Sequence, residues 1–564
     1  MMPEHSNNND GARDPTQLPP HGGSSPATTV RRVAGIALLT LVAPFALAQK
    51  AADPAAPASD AAGDAAQAPA ERFDVWEYRV LGSTVAPKVT VERALYSHLG
   101  PQKTIEDVET ARQALETAYR SAGYSTIFVD IPEQTVNEGV VRLNVTEGRL
   151  DRLRVSGARY FSNRQILARL PALEKGQVPH FPEVQQQLAA INRRTADRSV
   201  TPVLHAGRYP GTIDMELKVT DHLPFHGSLS VNDRYTADTS KLRSSVNVGY
   251  DNLWQHAHSA SLQYQFAPQE PDEAKVIAAT YIARIERANT ILAMYAVNSQ
   301  SEVATVGTLS VLGKGDIFGI RAIRPLDPIG KYYQSLTLGI DVKDFDEDIR
   351  LTEESGLNTA IKYVNWSASY GFGWTLPKSA FDFSVGAAWG VRGFGNNDFE
   401  FEEKRFKARA NYGYLLGTAQ HTRQVFGNAK FVTRLSWQYA NAPLISNEQF
   451  TAGGATSVRG YLEAERLGDL GGSMSLELYT PSLVKGRRVE DLRLFGFYDL
   501  ASLRIVEALP SQDPSFRLAS AGVGLRFSGL GGLRAELDWA RALRDGANVL
   551  KDEERIHFLL SYGF

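Results

Sequence analysis

The sequence predicts two tandem α+β modules of β-α-α-β-β order, followed by a transmembrane antiparallel β-barrel of about 16 strands. Three observations carry this reading. From residue 225 to residue 564, apolar side chains alternate with small or polar ones along almost every extended stretch, as in Val364/Trp366/Ala368/Tyr370/Phe372/Trp374. The skipped positions include charges: Arg534, Glu536 and Asp538 stand among Leu533, Leu537 and Trp539, chemistry that suits a wet lumen and not a packed sandwich core. Upstream of position 222, one order of strands and helices occurs twice.

Composition narrows the class. The chain of 564 residues exceeds one ordinary domain, and although 43% of it is hydrophobic, no apolar run is long enough to span a bilayer as a helix. A formal net charge of -3 gives no polyanion-binding surface, so nucleic acid is not an expected partner. With Cys 0 there is neither a disulfide scaffold nor a thiolate zinc site, which suits a chain that crosses an oxidising compartment unfolded. The 11 histidines are scattered, and no phosphate-binding loop, metal-spaced His/Asp cluster or nucleophile motif is present. No cofactor or metal is therefore expected, and the chain does not read as an enzyme.

The elements follow in order. Residues 1–48 read as a signal peptide with an extended polar n-region: Arg31-Arg32 precede an apolar run from Val33 to Leu47, and Ala46-Leu47-Ala48 marks a cut before Gln49. Residues 49–72 are an Ala/Pro-rich linker that cannot bury a core. The first module, 73–149, reads as a strand from Phe73 to Val80, a helix from Val89 to His98 and a longer helix from Thr104. Thr104 and Asp107 resemble a capping box there, and Ile105, Val108, Leu115 and Tyr119 share a face until Gly123 ends the helix. Strands from Tyr124 to Ile131 and from Val140 to Thr146 complete it. The second module, 150–222, repeats the order with a strand from Leu150 to Val155, helices from Ser162 to Leu170 and Phe181 to Thr195, a strand from Thr201 to His205 and a last one alternating through Ile213, Met215, Leu217 and Val219. At roughly 20 residues per strand and connection, 223–564 gives about 16 strands, an even number as antiparallel closure requires.

Two motifs stand out inside the barrel region. Val458-Arg459-Gly460-Tyr461 lies in a glycine-rich loop, and Phe497-Tyr498-Asp499 closes an alternating strand with Leu492, Leu494 and Tyr498 on one face and Arg493, Phe495, Phe497 and Asp499 on the other. A carboxylate turned inward needs a charge partner, and the forked donors of Arg459 make it the natural one. The chain ends in an amphipathic strand whose stripe of Ile556, Phe558, Leu560, Tyr562 and Phe564 finishes on an aromatic.

This constellation resembles the two-partner secretion transporters, the TpsB family of haemolysin and haemagglutinin secretion-activation proteins, over about residues 73 to 564. The resemblance implies that the modules are periplasmic polypeptide-transport-associated (POTRA) domains and that the barrel lies in the bacterial outer membrane. It implies that Arg459 folds into the barrel and locks to Asp499, with Val458, Gly460, Tyr461 and Phe497 shaping the contact. Pro132-Glu133-Gln134 with Gly139, Glu147 and Gly148, and Pro202 to Gly207 with Pro210-Gly211, look like POTRA features of the family. The implied partners are a large secreted exoprotein (an adhesin, haemolysin or contact-dependent toxin), outer-membrane lipid and the barrel assembly machinery, the last reading Phe558, Tyr562 and Phe564. An exposed edge strand carrying Tyr124, Ile127, Val129 and Ile131 offers the exoprotein a place to pair by β-augmentation. Family members often carry an N-terminal plug helix; Pro54, Pro57, Gly63 and Pro69, with no leucine, do not favour one here. A barrel-assembly insertase of the same superfamily is the alternative reading.

Overall fold

A computed structural model describes residues 71–564, apart from 238, 272, 302, 307–308, 347, 353–354, 359 and 485. The expected signal peptide, and with it residues 49–70 of the expected linker and any plug helix, lie outside the described residues. Contacts divide the described chain into two units, one of residues 71–225 with 251–258 and one of residues 226–250 with 259–564.

In the first unit, strand Val140–Glu147 is the centre of a three-stranded sheet, parallel to Glu77–Leu81 and antiparallel to Ile127–Asp130. Helix Ile105–Ser121 packs on it because Val108, Ala111, Leu115 and Tyr119 form one apolar stripe at helical spacing. Thr104 closes a full capping box with Asp107. Ile105 does not join that stripe: at 100° per residue it sits about 75° from the stripe's centre, in the first turn, and is 62% exposed. The stretch from Phe73 to Val80 is two strands, because Phe73–Val75 turns away to pair with Gly100–Lys103.

The second sheet repeats the plan, with Thr212–Asp221 between Arg149–Ser156 and Arg198–Ala206. Its first helix is the short Asn163–Leu167, and its second runs Phe181–Arg193. Only Gly148 separates the central strand of the first sheet from Arg149, and a Cβ there would lie 2.5 Å from the Thr126 carbonyl oxygen. The joint is tied further. Glu147, its side chain only 3% exposed, accepts from the Thr84 hydroxyl and from the Val85 amide (3.0 Å) and pairs with Arg149 at 2.7 Å. The Phe181 amide donates to the Gly123 carbonyl at 2.9 Å.

In the second unit, 16 strands close into an antiparallel barrel from Phe225–Asn232 to Glu554–Gly563. They are counted 1 to 16 along the chain. Strand 16 returns to strand 1 over five residue pairs, Leu559↔Asn232 to Gly563↔Ser228. Connections at one end are short, such as 330–331 and 377–378, and those at the other are long, including 391–412 and 441–469. Alternation sorts the wall as expected. On strand 13, Val489–Arg504, Leu494 and Tyr498 face outward at 47% and 42% exposure while Phe495, Phe497 and Asp499 are buried inside. Register then aligns an inward belt across strands 7 to 14: Tyr333, Gly373, Asp382, Gln420, Arg434, Ser475, Asp499 and Ser520 stand side by side.

Candidate functional site: a loop arginine on the barrel wall

The long loop 441–469, between strands 11 and 12, carries Arg459 into the inward belt. Gly453, Gly454 and Gly460 all adopt positive φ, which lets the backbone double back. The Ser457 hydroxyl bridges both backbone groups of Gly453 at 2.9 Å, closing the turn. A Cβ on Gly460 would approach the Ser520 side chain to 3.2 Å, at a φ of +99° that side chains rarely tolerate.

Arg459 grips Asp499 with a fork, Nε to Oδ2 at 2.8 Å and Nη2 to Oδ1 at 2.7 Å, and its backbone amide adds a third bond to Oδ2 at 3.1 Å. The guanidinium carbon lies over the Phe497 ring, 3.6 Å from its centroid. Tyr461 anchors the other side of the turn: fully buried, its hydroxyl donates to the Arg544 carbonyl at 2.7 Å and stands 3.0 Å from that of Ala519. Val458, 0% exposed, packs in the same apolar cluster with Leu462, Leu503 and Leu518.

Three further groups complete the cradle; of these only Asp538 was read from the sequence, as a lumenal charge and not as a partner of Arg459. The Arg459 Nη2 also donates to the Ser475 hydroxyl at 2.9 Å. Its Nη1 pairs with Glu477 at 2.9 Å and lies 3.7 Å from Asp538. Glu477 is shared with Arg434 at 2.6 Å, and Asp538 with Arg526 at 2.8 Å. Their signal was legible: Ser473, Ser475, Glu477 and Tyr479 are the inward alternates of strand 12, Leu470–Tyr479, as Asp538 is of strand 15.

The same loop is fixed at two more points. Glu448 takes hydrogen bonds from the hydroxyls of Tyr363 at 2.5 Å and Tyr414 at 2.7 Å, and pairs with Lys343. Asp469 forks Arg405 of loop 391–412, the second bond at 2.6 Å, and accepts the Leu444 and Val506 amides.

The remaining expected site residues are placed as follows. The edge strand is shorter than 124–131, covering only Ile127–Asp130. Tyr124 falls outside it because its amide closes the helix end on the Tyr119 carbonyl (3.0 Å), and its ring meets His180 of the second module. Ile131 leaves the strand to pack against Val75, Val108 and Val141. The side chains of Ile127 and Val129 point into the core, so only their backbones meet the edge. On strand 16, Phe558 is half-buried and Tyr562 is exposed, as is Phe564 just after the strand. Phe564 exchanges two 3.0 Å backbone bonds with Gly227 and lays its ring where a Gly227 side chain would be.

The profile of haemolysin secretion/activation proteins ShlB/FhaC/HecB matches residues 211–527, more than half of the chain. The chain belongs to that family. A ShlB-type POTRA domain profile matches residues 73–148. Among curated relatives, the outer membrane transporter CdiB of Dickeya dadantii (strain 3937) is 23% identical over 182 residues, a stretch that is 32% of each chain. The heme/hemopexin transporter protein HuxB of Haemophilus influenzae (strain 86-028NP) is 20% identical across 87% of this chain and 86% of its own. Among solved structures, CdiB from Escherichia coli shares the fold with a TM-score of 0.58 at 18% identity, over 90% of this chain and 93% of that one. BamA from Haemophilus ducreyi lacking POTRA domains 1-3 gives 0.55 at 13%, over 87% and 100%. This member of the haemolysin secretion/activation family is thus an outer-membrane barrel, with its POTRA region on the periplasmic side.

Proposed function

We propose that this chain exports a large exoprotein by two-partner secretion: the POTRA modules receive the extended polypeptide in the periplasm, and the barrel passes it to the cell surface without ATP. The periplasm holds no nucleotide supply, so binding and folding of the cargo outside must supply the direction. The observation that carries the reading is the loop 441–469 held across the lumen through Arg459, in a family of secretion proteins. A passive porin would share the barrel but not the POTRA region that precedes it here. Here the pair holds the closed state, and its release opens the path. Phe558, Tyr562 and Phe564 present the barrel to the assembly machinery, and the outward stripe contacts lipid.

Co-expression with candidate large exoproteins tests the proposal, comparing culture medium with periplasm in cells with and without this chain. Cargo in the medium only when the chain is present is the expected result. An empty medium, together with failure of other barrels to assemble in its absence, would replace the reading by an insertase. A charge-swapped pair, Arg459→Asp with Asp499→Arg, separates lock from scaffold. Recovered heat resistance without recovered export is expected, and recovery of both would reduce the pair to a structural bridge.

A further inference from the structure

Resting on the β-augmentation reading above, we infer that Arg112 guards the peptide-accepting edge of the first POTRA module and must let go before an extended polypeptide can pair there. Strand Ile127–Asp130 is the outer member of its sheet, with no further strand beside it among the described residues. Which of its backbone groups face outward follows from register. Facing residues of an antiparallel pair alternate between those that exchange backbone hydrogen bonds and those that turn both groups away. The Gly148 amide donates to the Thr126 carbonyl at 2.9 Å, and the register runs Ile127↔Glu147, Phe128↔Thr146, Val129↔Val145. Phe128 and Asp130 therefore bond inward to the sheet, while Ile127 and Val129 direct their N–H and C=O groups to the open edge.

One of those outward groups is already taken. Arg112, on helix Ile105–Ser121, donates from Nη1 to the Val129 carbonyl at 3.1 Å. The arm is held in place by carboxylates of its own helix, Glu109 at 2.7 Å and Glu116 at 2.7 Å, and it is about four-fifths covered. A side-chain donor on an edge carbonyl blunts the edge, as charged residues do on other exposed sheet edges. An incoming strand needs the same carbonyl, so the two compete. Glu109 and Glu116 give the displaced guanidinium somewhere to stay. Beside the edge, Phe128 stands 61% exposed on the open face of the sheet, where it can cover an alternate apolar side chain of the arriving peptide. The occupant is an extended polypeptide segment, since only a strand matches this row of backbone groups.

The test uses the full chain in detergent micelles and a capped eight-residue peptide of alternating Val and Thr, followed by fluorescence anisotropy. Arg112→Met is expected to bind about fivefold more tightly than the unaltered chain, the worth of one competing hydrogen bond. Arg112→Lys, which keeps the charge near Glu109 and Glu116 but loses the fork, is expected to bind more tightly as well. Val129→Pro removes an outward N–H while the bonds of Phe128 and Asp130 to the sheet remain; it trades one buried apolar side chain for another of similar size and should abolish binding. Unchanged or weaker binding in Arg112→Met, with Val129→Pro still inactive, would overturn the guard and leave the edge reading standing. Peptide binding that survives Val129→Pro would overturn the edge reading itself. Coincident melting curves for the variants establish that each has folded.

Discussion

Replacing Asp499 by Asn keeps the size of the side chain and removes the charge that Arg459 grips. Asp499 is 0% exposed and receives three nitrogen donors of Arg459, so the wild-type charge is fully compensated. Breaking a buried pair by neutralising one partner costs about 3–5 kcal/mol, because the surviving charge stays out of water. In Asp499→Asn the surviving charge is Arg459, which retains Glu477 at 2.9 Å, and the cost falls at the lower end, about 3 kcal/mol. Arg459→Ala instead strands Asp499, 0% exposed, whose three donors all come from Arg459, while Glu477 keeps Arg434 at 2.6 Å; the cost approaches the upper end, about 5 kcal/mol. The barrel of Asp499→Asn in detergent should therefore melt lower by roughly 5 °C, and that of Arg459→Ala lower still. Protease cleavage within 441–469 should appear in both at temperatures where the wild-type loop is protected. The reasoning is refuted if Asn at 499 leaves melting and loop protection at their wild-type values, or if it proves the more damaging of the two.

Three other outcomes are expected. Asp469→Asn should release loop 391–412, because Arg405 loses its fork; cleavage after Lys404 or Arg405 should then precede cleavage after Arg459. Burial pushes the Glu147 carboxyl up, but the bonds from Thr84 and Val85 and the charge of Arg149 outweigh it and hold its pKa below the ordinary 4.5. Its stabilisation of the POTRA joint is thus complete above that value and is lost as pH falls through the lowered native one, a slope that Glu147→Gln should abolish in hydrogen exchange at the Val85 amide. Deleting Phe564 removes two backbone bonds to Gly227 and the terminal aromatic, so the amount of folded barrel in the outer membrane should drop several-fold with export falling in proportion.

Period-two alternation made the wall legible, because one side of every strand meets lipid and the other water. It placed Phe495, Phe497 and Asp499 inside together, and the pairing of Arg459 with Asp499 followed from charge alone. The rest of the lock was available to the same argument through Glu477 and Asp538. What alternation could not reach were Arg405, Glu448 and Asp469. They lie in loops, where no periodicity relates a residue to its neighbours, and the charged groups and tyrosine hydroxyls they hold stand between 34 and 105 positions away along the chain. Strand Gly100–Lys103 was out of reach for a different reason: Gly and Pro are poor strand formers, and pairing with Phe73–Val75 overrides that preference. Ile105 shows the limit of spacing at a helix end, where the first turn projects past the sheet it would cover.

The loop that carries Arg459 is attached on two sides of the wall. Glu448 ties it to strands 7, 8 and 10 through Lys343, Tyr363 and Tyr414, and Arg459 ties it to strands 12, 13 and 15 through Glu477, Asp499 and Asp538. Such a member is a crossbar, and a crossbar sets the outline of the tube it braces. Freed at one end, it stops constraining the distance between those two groups of strands.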